Sequence, residues 1–175
     1  DKRGWEFLNN YVCRDGKHVG PATWIEGTFP AGQEDLPVTG ISFYEARAFV
    51  RWKSERSGRT FRLCREFEWE KAASWNPDRK EQRTYPWGHT WDITKGNFGQ
   101  KVEKIGYRGS DCSPYGCYDI AGNVAEWTVS DKGIGGVLRG GTFGLPESIL
   151  KIFSRCFDRN IRETFHYRSP FVGFR

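Results

Sequence analysis

PVTGISFYEARAFVRWKSERSG, residues 37–58, is the stretch from which the fold is read. Ser42 and Glu45 stand three residues apart, the spacing of a capping box that satisfies two orphaned N–H groups at a helix start. Phe43, Ala46, Phe49 and Val50 follow at helical spacing and predict one apolar stripe. Gly58 can take the left-handed conformation that closes a helix. A second, shorter helix is predicted over residues 66–74, with Phe67, Trp69 and Ala73 on its buried side. Residues 76–114 are rich in Gly, Pro, Asn and Asp with isolated aromatics, the composition of structured loops. Short strands are expected at residues 127–129, 136–139 and 171–174. Residues 1–36 read as loops and short strands. The sum is an α+β domain of 175 residues: two helices, a small twisted antiparallel sheet and long structured loops.

Composition narrows the function classes. Aromatics at 16%, with 8 Trp and 21 Gly, predict tight turns around large buried rings and argue against disorder. No apolar run approaches the length of a membrane span. The chain opens on Asp1 with no signal-peptide pattern, as a processed or excised piece would. None of the five cysteines (Cys13, Cys64, Cys112, Cys117 and Cys156) stands in a C-x-x-C pair, and the three histidines (His18, His89 and His166) are far apart. Neither a zinc site nor a thioredoxin-like motif is indicated. The net charge is +5, and +4 of it falls after Val137, where seven basic residues face three acids. An anionic ligand is one reading of that excess; arginines pairing with carboxylates inside a loop-rich fold is the other. No helix-turn-helix, zinc-finger or RNA-binding pattern points to nucleic acid.

Six segments, in order, carry a resemblance. They are PVTGISFYEARAFVRW, RLCREFEWEKAA (62–73), YPWG (85–88), YGCYDIAGNVAEW (115–127), VLRGGTF (137–143) and FVGFR (171–175). Their order and spacing resemble the formylglycine-generating-enzyme, or sulfatase-modifying-factor, family. The resemblance implies a C-type-lectin-like fold over residues 37–175, with an abbreviated N-terminal part. Small glycines at 122, 140 and 141 suit close backbone approach. Trp127 suits a core, and Arg175 can make several hydrogen bonds at once. Cys64-Arg65 stands where the family often has Pro-Thr, so the second helix lacks its usual cap.

The family's oxidases bind copper(I) through two cysteines shortly after the Arg-Gly-Gly motif, and soft thiolates suit that ion. Here the first of those positions matches Leu145. Cys156 matches a later family cysteine that forms a disulfide; its partner position is Ala73, which implies a plain buried thiol. A further branch holds iron with histidines of an added helical domain. On this supply of ligands neither copper nor iron is expected, no catalytic residue is assigned, and the chain reads as a ligand-binding protein rather than an enzyme. The alternatives are a divergent metal-dependent oxidase-like enzyme and a catalytically dead scaffold domain of a larger protein.

The resemblance implies two sites. One is structural Ca2+, held by the side chains of Asp119 and Glu126 and the carbonyls of Gly122 and Val124, a hard oxygen set. Asn97 and Phe98 match part of another family calcium site whose remaining ligands have no counterpart. The second follows from variable proteins of diversity-generating retroelements, which diversify the stretch between Arg-Gly-Gly and a terminal Gly-Phe-Arg. Adenine-directed mutagenesis there does not yield Lys, Glu, Gln, Trp or Met. Residues 144–171 hold 3 of that set in 28 positions, against 31 in residues 1–143. Phe157, Asp158, Asn160, Ile161, His166, Tyr167, Ser169 and Phe171 are the candidate contacts to a protein or other macromolecular ligand, since aromatics give contact area at low entropy cost.

Overall fold

Ser42 starts the first helix as its spacing predicts. In the computed structural model, which describes residues 20–132, 135–144 and 168–175, α1 spans Phe43–Ser57. The Ser42 N–H donates to Glu45 Oε2 at 2.8 Å, and Ser42 Oγ accepts from the Glu45 N–H at 3.3 Å. Gly58 closes the helix at φ 67°, donating to the Ser54 carbonyl. Phe43 and Ala46 are buried, but Phe49, expected on the same stripe, is 43% exposed beside Trp52 and Phe174. Phe49 meets the sheet only through Phe174, and Val50 packs against the core as a partly buried residue.

α2 spans Glu66–Ser74. Its missing cap is replaced from elsewhere in the chain: Asp131 Oδ1 accepts the Phe67 N–H at 3.1 Å, and Glu68 Oε2 accepts the Arg65 N–H at 2.8 Å. Trp69 and Ala73 are buried as expected, whereas Phe67 is exposed and Glu66 takes the inner face. Two residue pairs form the antiparallel ribbon β1 (Trp75–Asn76) and β2 (Glu81–Gln82).

The main sheet has β3 (Ala125–Val129) at its centre, β4 (Gly136–Arg139) antiparallel on one side and β5 (Val172–Phe174) parallel on the other. The α+β architecture stands, with the sheet mixed rather than wholly antiparallel. A parallel pair cannot be closed by a hairpin, and residues 140–171 separate β4 from β5 in sequence.

One core cluster joins Ile41, Phe43, Ala46, Leu63, Ala125, Trp127, Leu138 and Val172. Trp127 sits inside it, its indole N–H donating to the Ile41 carbonyl at 3.0 Å and its ring 5.7 Å from that of Phe43. A second cluster packs Trp69, Ala73 and Ile120 with Cys64 and Cys117. Two glycines are required by geometry. At Gly122 (φ 86°) a Cβ would lie 2.4 Å from the Asn97 carbonyl oxygen, and at Gly140 (φ 93°) 2.9 Å from that of Ile120. These close approaches bind the loop before β3 to the end of β4.

Candidate functional site

The fold brings both ends of the segment between β4 and β5 to one place. Glu126, near the start of β3, is in register with Arg139 on one side and Gly173 on the other. The departing end is held by Asn123, a fully buried residue in the left-handed region at φ 59°. The Asn123 carbonyl accepts the Phe143 N–H at 3.1 Å and the Thr142 hydroxyl at 3.2 Å. The Asn123 side chain is fixed in turn by Asn97 and Glu103. At the returning end, Arg168 binds Glu45 through Nε and Nη2, so the carboxylate that caps α1 also anchors this segment. Phe143 and Phe171 close the base with ring centroids 4.8 Å apart.

Two ion networks support that base, one buried around Arg139 and one half-exposed at Arg175. Arg139 is 4% exposed, lies over the Trp69 ring, and pairs with Glu66 at 3.3 Å and Glu70 at 2.6 Å. Glu126 accepts from Trp69 Nε1 at 2.7 Å and from Arg175, whose Nη2 lies 2.8 Å from Oε1. Arg175 also donates to the Tyr118 carbonyl at 2.7 Å. Burial works against the Arg175 charge, but Glu126 beside it outweighs burial and holds the group cationic. Arg139, Arg168 and Arg175 therefore each pair with a carboxylate, which takes these three out of the basic excess read as an anion site.

The calcium set is only partly assembled. Asp119, at φ 55°, turns the chain so that its carboxylate accepts the Gly106 N–H at 2.6 Å. Both Glu126 oxygens are engaged by Trp69 and Arg175. A cation there would have to displace a guanidinium, so Glu126 does not fit as a ligand. Among the described residues, no three of His, Cys, Asp and Glu gather as a metal site. Asn97 is buried and locks Asn123 instead of facing an ion.

The sequence reading missed Asp111. It is fully buried, its Oδ2 accepts the Asp119 N–H at 2.9 Å, and its Oδ1 has no hydrogen-bond partner. Burial first, and the neighbouring Asp119 charge second, push its carboxyl up to about 6. Cys64 is pushed up to about 11 by burial and by the charges of Glu126 and Glu68.

Of the candidate contacts, Phe157, Asp158, Asn160, Ile161, His166 and Tyr167 lie outside the described residues, as do Leu145 and Cys156. Phe171 is 40% exposed at the rim of the base. Ser169 is buried, its hydroxyl accepting the Phe171 N–H at 3.2 Å, so it shapes the turn and presents no side chain to a ligand.

Comparison with known proteins places these features. The chain is 31% identical over 165 residues to hercynine oxygenase of Mycobacterium tuberculosis, covering 81% of this chain and 36% of that protein. The hercynine oxygenase of Mycolicibacterium smegmatis is 29% identical over 169 residues, covering 81% and 37%. The chain thus spans about a third of the length of these curated relatives. Among solved structures, Treponema denticola variable protein 1 shares the fold at a TM-score of 0.67 and 20% identity, over 95% of this chain and 79% of that one.

The expectation that the chain is no enzyme is corrected by these relatives, which are oxygenases. The absence of paired cysteines removes one way of holding a metal and leaves others open to the family. The sulfatase-modifying factor enzyme 1-like domain matches residues 7–175, and the chain belongs to that family.

Proposed function

We propose that this domain serves an oxygenase-class enzyme of the hercynine oxygenase type and that its part is substrate recognition. The recognising segment is residues 144–171, between β4 and β5. The observation that carries the reading is the base of that segment: Phe143 on Phe171, Arg168 on Glu45, and Asn123 on Thr142 and Phe143. Fixing the two ends of a segment in place reduces part of the freedom it must lose on binding, which is how scaffolds present recognition loops. The identity of about 30% to the hercynine oxygenases over 81% of this chain supports the reaction class. Saturation-transfer NMR with hercynine as the probe tests the reading. Transfer from protein to hercynine is expected, and its absence at millimolar hercynine would overturn the proposal.

A second reading has its own observation. The fold of a variable protein is shared over 95% of this chain, and the same fixed base suits a segment whose residues change while its ends do not. The ligand would then be a protein or other macromolecule. Resequencing the gene across isolates tests it. Substitutions confined to residues 144–171 at adenine positions support diversification, and substitutions spread evenly along the chain refute it.

A further inference from the structure

Residues 47–65, most of α1 and the loop after it, hold seven basic residues against one acid, a local charge of +6 in a chain whose total is +5. Arg139, Arg168 and Arg175 are taken up by carboxylates. In this stretch Arg51 and Arg62 have such partners, Glu55 and Glu68. Lys53, Arg56 and Arg59 are exposed and pair with no carboxylate among the described residues.

Each of these three cations stands over an aromatic ring instead. Lys53 Nζ is 5.0 Å from the Phe61 centroid, the Arg59 guanidinium 5.7 Å from the same ring, and Arg56 6.0 Å from that of Trp52. Trp52 is half exposed and meets Phe49, also half exposed, with centroids 5.5 Å apart. The loop is tied to the helix where the rings stand. The Phe61 N–H donates to Ser54 Oγ at 2.7 Å, and that hydroxyl donates to the Val50 carbonyl at 2.7 Å. A cation in the last turn suits the helix dipole and would account for Arg56, but not for Lys53 or Arg59.

We propose that the free end of α1 and the loop after it bind single-stranded nucleic acid without regard to sequence. Phosphates go to Lys53, Arg56 and Arg59, and bases stack on Trp52 and Phe49. A guanidinium meets a phosphate with two parallel N–H bonds, and one already stacked on a ring has less freedom to lose. Every base has a face to lay on an exposed ring. An acidic peptide would be drawn by the cations alone, since its carboxylates offer nothing to stack on Trp52. Binding of this kind rests on charge and stacking, so it needs none of the nucleic-acid motifs that the sequence lacks. The surface shares no residue with segment 144–171, so it stands or falls apart from the substrate reading.

The test follows fluorescence anisotropy of a labelled oligothymidylate of about twenty nucleotides as protein is added. Saturable binding in about 50 mM salt is expected, weakening roughly twentyfold by 200 mM, as three phosphate contacts to a single strand require. The triple variant Lys53→Gln, Arg56→Gln, Arg59→Gln should lose at least tenfold in affinity with circular dichroism unchanged. Trp52→Ala should bind about tenfold more weakly with the same salt dependence. If the triple variant does not fold, the wild type and Trp52→Ala still decide. No saturation by about 100 μM protein overturns the proposal, as does wild-type affinity in either variant. So does displacement by polyglutamate of equal charge as readily as by unlabelled oligonucleotide, which would make an acidic protein the partner.

Discussion

Arg139→Met tests the buried ionic support of the site most severely. Arg139 is 4% exposed and Glu66 1%, so removing the guanidinium leaves a carboxylate that water cannot reach. Glu70, the other partner, is 30% exposed in its side chain and can rehydrate. Removing one partner of a buried ion pair costs about 3–5 kcal/mol, and loss of the stack on Trp69 adds about 0.5–1 kcal/mol. For a domain of this size the sum lowers Tm by roughly 10 °C. Adding Glu66→Leu is expected to recover more than half of the loss, because an apolar pair in place of a buried ion pair is often neutral or better. Urea unfolding followed by tryptophan fluorescence measures both variants. If Arg139→Met costs less than about 1 kcal/mol, or the double variant is no more stable than the single, the burial argument is refuted.

Other consequences follow from single contacts. Gly122→Ala should cost about 2 kcal/mol or more in urea unfolding, since a Cβ would meet the Asn97 carbonyl and φ is 86°; a neutral result would show that the loop yields. In chelator-treated buffer, stability should fall as pH rises from about 4 through 6. Asp111 has its carboxyl raised to about 6 in the fold against an ordinary carboxylate value when unfolded, so its contribution is complete at low pH and lost through the folded value. Asp111→Asn should flatten that slope, and an unchanged slope would reassign it. Cys64, raised to about 11, should react with iodoacetamide at pH 8 at least tenfold more slowly than a free cysteine; mass spectrometry showing it modified first would contradict its burial.

The helix ends were legible because they are local chemistry. Ser42, Glu45 and Gly58 do in the structure what their types and spacing demand. The strand at Gly136–Arg139 also matches, while β3 starts two residues before the expected 127. What was not legible depends on partners distant in sequence. Periodicity shows that Phe49 shares a face with Ala46, but not that it meets only the edge of the core, against Phe174, and stays half exposed. Phe67 has the right residue type for a core, yet Glu66 is drawn inward by Arg139, 73 residues further on. The parallel pairing of β5 with β3 has no mark in the strand's own residues.

The candidate site divides in the same way. Asp119 and Glu126 were visible as carboxylates of one loop, but their fates were set by other residues. Arg175 and Trp69 neutralise and saturate Glu126, and Asp111 faces Asp119 through a turn that no composition rule detects. Ser169 has the small polar character of a contact residue and spends its hydroxyl on the Phe171 N–H. The anchoring of the segment at Asn123, Phe143 and Arg168 was likewise hidden, although the Arg-Gly-Gly and Gly-Phe-Arg flanks marked where it begins and ends.

The most direct test of recognition by the segment between Gly144 and Phe171 is calorimetric titration of hercynine into Phe143→Ala beside the wild type. Loss of the Phe143–Phe171 contact removes about 0.5–1.5 kcal/mol of support from the base. Weakening of hercynine binding by roughly three- to tenfold, with the fold retained by circular dichroism, is the predicted result. Unchanged affinity in the variant, or no binding to either protein, would contradict it.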